Sequence, residues 1–462
     1  MSKYFGTDGF RGRAGVTLTA HHAFRIGQFL AYDLKKRRFT DPTYSRGGAP
    51  TGSRVRAVLG KDTRRSSYML EYAIAAGLTS AGADAYMLHV TTTPSVSYVT
   101  AADGFDIGIM ISASHNPFDD NGIKLVNALG EKMDDETLDR IEAYLDGRGE
   151  ITDIPQATGT EIGEIVDYAA GRNRYVAYLI SLSTFSYKGC DIALDCANGS
   201  AWSIARHVFE ALGARVHAIG ITPDGCNINC GVGSTHIEHL ADYVRKNHMN
   251  IGFAFDGDAD RCIAVDERGE VVNGDHILYI LALDMKRRGM LAGNTVVTTV
   301  MSNLGLYRAL SEAGIDFVQT TVGDRYIYEN MRQTGNALGG EQSGHIIVRK
   351  YATTGDGILT AILLMEAVLS AKQPLSRLAA PVQMFPQLTR NLPVADKAAV
   401  IADGEVQKKL AELGELLGED GRILLRKSGT EPVVRIMVEA ADDAICAATA
   451  DELAGVIRER GY

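Results

Sequence analysis

Three aspartates at alternate positions, Asp256, Asp258 and Asp260, stand between two short apolar runs in NIGFAFDGDADRCIAVD, residues 250–266. Alternate residues of an extended chain lie roughly 6.6 Å apart, too far for three carboxylates to chelate one small cation. The loop must therefore curl, and Gly257 and Ala259 are small enough to let it. Clustered carboxylates repel one another unless a cation sits between them, so a hard divalent ion, magnesium, is the economical reading. Two other readings fit less well. An EF-hand loop would match the acids of DGDADRCIAVDE, but Arg261 stands where that turn needs glycine and both flanks read as strands. A solvated acidic turn leaves unexplained the position at the end of a strand, where α/β domains bind ligands.

A second stretch, IMISASHNPFDDNGIK at 109–124, sets Ser114 directly before His115 and ends on Lys124. A hydrolytic triad needs base and nucleophile opposed across space, whereas adjacent residues point in different directions, and no GxSxG elbow surrounds Ser114. An Asn-Pro surface turn explains Asn116 and Pro117 but not the apolar run from Ile107 to Ile111 leading into them. A serine ending a buried strand, with a lysine nearby, suits covalent chemistry better. A phosphoryl group on Ser114 would bring about −1.5 to −2 charges, which the metal of the acidic loop would bridge.

Positioning these loops requires several α/β layers. Residues 55–90, 191–220 and 294–323 share one order of signals: a β-rich run, a polar or small-residue loop, an amphipathic stretch ending at Gly82, Gly213 or Gly314, and a second apolar run. Glycine supplies the left-handed residue that stops a helix. Strand, helix and strand at this length form a βαβ unit with parallel pairing. The expected fold class is α/β: three related α/β/α domains with mixed sheets plus a smaller C-terminal α+β domain. Gly/Asp/Pro-rich breaks place the domains at 1–155 with the serine loop, 156–252, 253–372 with the metal loop at its start, and 373–462. In the last, a charged helix at 400–417, a strand at 423–425, a strand at 433–439 and a final helix are expected. The polar insertion 37–54 reads as an exposed, mobile loop.

Composition narrows the function classes. A chain of 462 residues is too long for one core, and 45% apolar with 23% charged residues is ordinary for a globular protein. The net charge of −10 argues against a nucleic-acid partner, while leaving room for a small anionic substrate where Arg and Lys converge. No leader pattern opens the chain and no apolar run reaches about 18 residues, so no membrane partner is expected. The nearest such run, 358–369, carries Glu366. Six scattered cysteines read as reduced thiols, because Cys226 and Cys230 lack a second pair at zinc spacing. These signals read as a cytoplasmic protein.

Joined to GEQSGH (340–345) and RKSGTEP (426–432), the two loops carry a resemblance to the α-D-phosphohexomutases. SASHNP with NGIK (112–124), DGDADR (256–261) and the two later motifs stand in that family's order and span nearly the whole chain. GTDGFRG (6–12) and GDRY (323–326) favour its glucosamine branch over the mannose and glucose branches. The resemblance implies four domains around a central cleft, with Ser114 phosphorylated. It also implies one Mg2+ per active site on Asp256, Asp258, Asp260 and a phosphoryl oxygen of Ser114. Arg11 and Lys124 would lie near the transferring group, and Lys124 is a general acid/base only if its neighbours lower its pKa. His115 would orient the loop. Arg261 would add positive charge there or form a salt bridge to one of the aspartates.

By the same resemblance, Glu341, Ser343 and His345 form the sugar loop, with Asp324 and Arg325 of GDRY also assigned to substrate. Arg426, Ser428, Gly429, Thr430 and Arg435 would hold the phosphate that is not reacting. Lys427 departs from the proline that many members carry, which loosens the loop but adds charge. The implied reaction converts glucosamine 6-phosphate to glucosamine 1-phosphate through a hexosamine or hexose 1,6-bisphosphate, on the route to cell-wall precursors, with a homodimer admitted. Rival readings are the same chemistry on mannose or glucose phosphates, a magnesium-dependent phosphatase, and a sugar-phosphate binder without turnover.

Overall fold

The apolar runs become the inner strands of four sheets in a computed structural model that describes residues 3–6, 8–37, 54–149, 151–428 and 432–462. The first sheet comprises β1 (Phe5–Gly6), β2 (Gly9–Arg13), β3 (Arg56–Lys61), β4 (Asp84–Val90), β5 (Ile107–Ile111), β6 (Asp120–Asn127) and β7 (Ile165–Asp167). Their spatial order is β1-β2-β6-β5-β3-β4-β7. The second sheet holds β8 (Asp191–Asp195), β9 (Arg215–Ile219), β10 (Ile251–Phe255), β11 (Cys262–Val265) and β12 (Val271–Val272), ordered β12-β11-β10-β8-β9. The third holds β13 (Thr295–Thr299), β14 (Asp316–Thr320), β15 (Leu338–Gly340) and β16 (Ile346–Val348), ordered β14-β13-β15-β16. The fourth holds β17 (Gln387–Pro393), β18 (Arg422–Lys427) and β19 (Val433–Glu439), ordered β17-β19-β18 and antiparallel throughout.

The first three sheets repeat one plan. A helix (Arg65–Ser80, Ala201–Ala211 or Leu304–Glu312) joins the first two strands of each repeat. Those helices end before Gly82, Gly213 and Gly314, all at positive φ, as the sequence requires. The third strand then pairs parallel to the first on its other side, as β5 to β3, β10 to β8 and β15 to β13. A hairpin returns antiparallel as β6, β11 or β16. The serine loop, the acidic loop and GEQSGH each occupy that same hairpin. Strands β5 and β10 are buried along their whole length, which is why their sequences run apolar without alternation.

Several boundaries differ from the sequence reading. The expected break at 252/253 falls inside β10, which pairs with both β8 and β11, so the acidic loop is a hairpin within the second sheet. β7 joins the first sheet beyond residue 155 by pairing with β4. The helix expected at 400–417 is two, Lys397–Ala402 and Gly404–Leu417, because Asp403 turns out of the helix and accepts from the amides of Glu405 and Val406. β17, unrecognised in a stretch broken by prolines, exists because β19 offers it a full ladder. By contacts, Met1–Val300 with Val318–Ala379 form one compact unit and Met301–Phe317 with Ala380–Tyr462 another. The short helix Leu375–Ala379 stays with the first unit, where the backbone amide and hydroxyl of Ser376 donate to Glu267. Of the insertion, 38–53 lie outside the described residues.

Among the described residues no helix is long and apolar enough to cross a membrane. Glu366, the lone charge of the apolar helix Gly357–Ala371, is 2% exposed. It accepts from Ser183 Oγ at 2.7 Å, the Thr184 amide at 3.1 Å, the Phe185 amide at 3.3 Å and the Thr184 hydroxyl. Glu366→Ala strands those donors and is expected to cost about 1–3 kcal/mol, read as a lower urea midpoint.

Candidate active site

Beyond β5 the chain turns sharply. Ser114 takes a left-handed backbone with φ of 53° and is 1% exposed. Its amide donates to Ser112 Oγ at 2.9 Å and its hydroxyl to Asp256 Oδ2 at 2.5 Å. His115 Nδ1 stands 3.2 Å from the same hydroxyl. Burial, then the charges of Arg261 and Arg11, bring the His115 pKa down to about 4, so the ring is neutral at pH 7. Among the described residues no carboxylate is hydrogen-bonded to this histidine, and the serine proton points at an aspartate. This is not a hydrolytic triad.

Between β10 and β11 the acidic loop curls through Ala259, at φ of 56°. One carboxylate oxygen from each of Asp256, Asp258 and Asp260 then falls within 4.8 Å of the others. Gly257 is needed for close approach, since a Cβ there would lie 2.5 Å from the Ser114 carbonyl oxygen. Burial, then Asp260 and Asp258, drive the Asp256 pKa well above the usual carboxylate range. Burial acts the same way on Asp260, but Lys124 and His345 outweigh it and hold Asp260 well below that range. Among the described residues, Asp258 Oδ1 and Asp260 Oδ1 are buried without a hydrogen-bond partner. Three converging carboxylates, with Asp258 Oδ1 accepting no hydrogen bond among the described residues and Asp260 Oδ1 reached by ion pairs longer than hydrogen bonds, fit a hard divalent cation with oxygen ligands.

Around this loop runs a closed ring of alternating charge. Lys124, on β6, lies 2.8 Å from Asp258, 3.1 Å from Asp260 and 3.0 Å from Asp8. His345 stands 3.6 Å from Asp260 and 3.1 Å from Asp324. Lys132 closes the ring, 2.6 Å from Asp324 and 3.0 Å from Asp8. Burial opposes charge on Lys124, but Asp258, Asp260 and Asp8 outweigh it and raise its pKa well above the ordinary value. The lowered pKa that a lysine base requires is therefore not met here; in this arrangement Lys124 is an ammonium. Burial likewise opposes charge on His345, and Asp324 and Asp260 raise it to about 10.

The other expected residues divide. Arg11 joins the ring through Asp8 at 2.5 Å and reaches Asn116 Oδ1 at 3.1 Å. Among the described residues Arg261 makes a loose 3.9 Å ion pair to Asp260 and its Nε has no hydrogen-bond partner, which leaves a donor for an anion. Glu341 accepts from the Gly323 amide at 3.2 Å, and burial raises its pKa. Among the described residues Ser343 Oγ is buried without a hydrogen-bond partner. Arg325 is engaged elsewhere, with Asp135 and with Glu329 at 2.8 Å. A cavity of about 410 Å3, within the range of small-molecule sites, is lined by Lys132, Asp324, Arg325, Tyr328 and Thr354 among others. In the second unit, Arg426 and Arg435 are cross-strand partners on β18 and β19. Like charges so placed repel, and an anion bound near them offsets that repulsion. Burial, then Arg435, lowers the Arg426 pKa, and among the described residues its Nε has no hydrogen-bond partner. Ser428 is buried beside Lys397, whose Nζ donates to the Ser428 carbonyl at 2.8 Å. Gly429 and Thr430 lie outside the described residues.

Sequence reasoning missed Asp8, Lys132 and Thr93. Asp8 stood inside GTDGFRG and could have been named. Thr93, whose hydroxyl donates to Asp258 at 2.5 Å, and Lys132 carry no local signal.

Profiles of the phosphoglucomutase/phosphomannomutase family match the whole plan. α/β/α domain I matches residues 2–151, domain II 173–269, domain III 273–385 and the C-terminal domain 390–456. The chain is 56% identical over 462 residues to the phosphoglucosamine mutase of Lachnospira eligens, covering 100% of both. It is 46% identical over 458 residues to that of Bacillus subtilis, covering 99% of each. Among solved structures it resembles a phosphoglucomutase/phosphomannomutase family protein of Burkholderia thailandensis, with TM-score 0.79, 25% identity and coverage of 99% and 98%. It also shares the fold of the Aspergillus fumigatus N-acetylphosphoglucosamine mutase, solved with GlcNAc-6P and magnesium, at TM-score 0.69, 16% identity and coverage of 100% and 96%.

Proposed function

The chain belongs to the phosphoglucomutase/phosphomannomutase family, and on that premise we propose that it interconverts glucosamine 6-phosphate and glucosamine 1-phosphate. Phosphorylated Ser114 and a 1,6-bisphosphate intermediate carry the phosphoryl group in this reading. The observation that carries it is the buried Ser114 hydroxyl, 2.5 Å from a carboxylate of the acidic triad, in a chain 46% to 56% identical over its length to phosphoglucosamine mutases. Asp256, Asp258 and Asp260 would hold one Mg2+, which when bound supplies a Lewis acid for the phosphoryl oxygens.

The chain's own residues do the rest. A sugar hydroxyl takes the phosphoryl group from Ser114, and the serine oxygen recovers a proton. The bisphosphate turns over and returns its other phosphate to Ser114. The Lys124 ammonium, with Arg11 and Arg261, offsets charge on the transferring group. Glu341 and the buried Ser343 hydroxyl suit vicinal sugar hydroxyls, and His345 is held by Asp324. In the second unit, Arg426, Arg435 and Ser428 form the anion site assigned to a phosphate. Arg426→Gln is therefore expected to raise the KM for sugar phosphate about tenfold or more while changing kcat little. A cytoplasmic location and a homodimer belong to the same proposal, and sedimentation of the purified chain tests the latter.

The deciding experiment is phosphorus NMR with magnesium, a catalytic amount of hexose 1,6-bisphosphate and, in parallel, the 6-phosphates of glucosamine, mannose and glucose. A 1-phosphate signal growing fastest with glucosamine is expected. Comparable or faster conversion of the neutral sugars overturns the glucosamine assignment. Free phosphate without isomerisation overturns the mutase in favour of a phosphatase.

A further inference from the structure

Arg64 is wholly buried, and its guanidinium is spent almost entirely on the backbone of the serine loop. Its Nη2 donates to the carbonyls of Ser114 at 2.9 Å and Asn116 at 2.8 Å. Its Nη1 donates to the carbonyl of Asp120 at 3.1 Å and to that of Pro117. Its Nε donates to Asp62 at 2.8 Å, and Asp62 in turn accepts from Ser112 Oγ at 2.8 Å, the hydroxyl that receives the Ser114 amide. From the loop after β9, the Asn229 side chain donates to the same carbonyls, Ser114 at 2.9 Å and Asn116 at 3.0 Å.

The geometry points to Arg64 as the positioning residue for the nucleophile. β3 lies between β4 and β5, so the loops leaving β3 and β5 flank the point where strand order reverses. Arg64 stands on the first of these loops and Ser114 on the second. Only a guanidinium offers five donors in one plane, enough to hold a carboxylate and four carbonyls together. A buried ion pair with Asp62 would need one edge of it. The other edge holds Ser114 in its left-handed conformation, with its hydroxyl aimed at Asp256, while Asn229 grips the same turn from the second sheet. Arg64 acts through Ser114 and touches no reacting atom. The inference rests on Ser114 being the phosphoryl carrier.

Arg64→Lys keeps the charge beside Asp62 and loses the fork. We expect kcat per folded molecule to fall about 100-fold with KM within about twofold, since an ångström of misplacement costs that much. Free phosphate released per 1-phosphate formed should rise, because a loose phosphoserine meets water more often. A residue that serves folding alone would lower the unfolding midpoint but leave kcat per folded molecule and that partition at wild-type values. Such a result overturns the assignment. Should Arg64→Lys not fold, Asn229→Ala decides: a fall in kcat of about fivefold or more at unchanged KM supports the clamp, and wild-type kcat overturns it. If the wild-type chain proves to convert another sugar phosphate, the same comparison is made on that sugar. If wild type only releases phosphate, the mutase reading fails, and Arg64 is judged by the release rate.

Discussion

Ser114→Gly should lower mutase turnover by about four orders of magnitude or more, the scale on which enzymes lose rate when a covalent nucleophile is removed. Glycine is the informative choice here, because Ser114 occupies a left-handed backbone at φ of 53°, which glycine adopts without strain and alanine does not. The variant loses the hydroxyl's hydrogen bonds to Asp256 and His115, each worth about 1 kcal/mol. The clamp on the Ser114 and Asn116 carbonyls survives, since Arg64 and Asn229 grip backbone rather than side chain. Its unfolding midpoint should therefore stay close to wild type while activity disappears. Phosphorus NMR of the wild-type protein should show a phosphoserine signal that the variant lacks. Residual turnover within tenfold of wild type would remove Ser114 from the chemistry.

Asp258→Asn should raise the magnesium concentration for half-maximal activity more than tenfold and lower turnover at saturating metal by about 100- to 1,000-fold. Asp258 is the middle carboxylate of the triad in sequence. One of its oxygens takes the Lys124 ammonium and the Thr93 hydroxyl, and the other has no hydrogen-bond partner among the described residues. In the metal-free protein the substitution relieves repulsion from Asp256 and Asp260 but gives up the 2.8 Å ion pair to Lys124, so the variant's midpoint without magnesium serves as its own baseline. Wild type at a metal concentration about 100 times Kd should gain about 2.7 kcal/mol of stability, visible as a thermal shift that the variant largely loses. That shift separates metal binding from catalysis. An unchanged metal requirement and an undiminished shift would place the ion elsewhere.

What the sequence determined by itself was local. Three repeats of strand, helix and glycine stop could be read from periodicity, because each unit's signals lie within about thirty residues of one another. The serine and acidic loops were legible because their chemistry is concentrated in a few adjacent residues, and the small residues at 257 and 259 already announced a curled turn. β17 and the continuity of β10 through residue 252 were not, since a strand of weak propensity is made by its neighbour and a domain edge by pairing. Asp8, Lys132 and Arg64 act through partners far away in the chain: Lys132 pairs with Asp324 192 residues on, and Arg64 with Ser114 50 residues on. The charge on Lys124 was also beyond the sequence. A lysine's pKa is the sum of its burial and of every charge around it, and only folding brings Asp8, Asp258 and Asp260 to the same nitrogen.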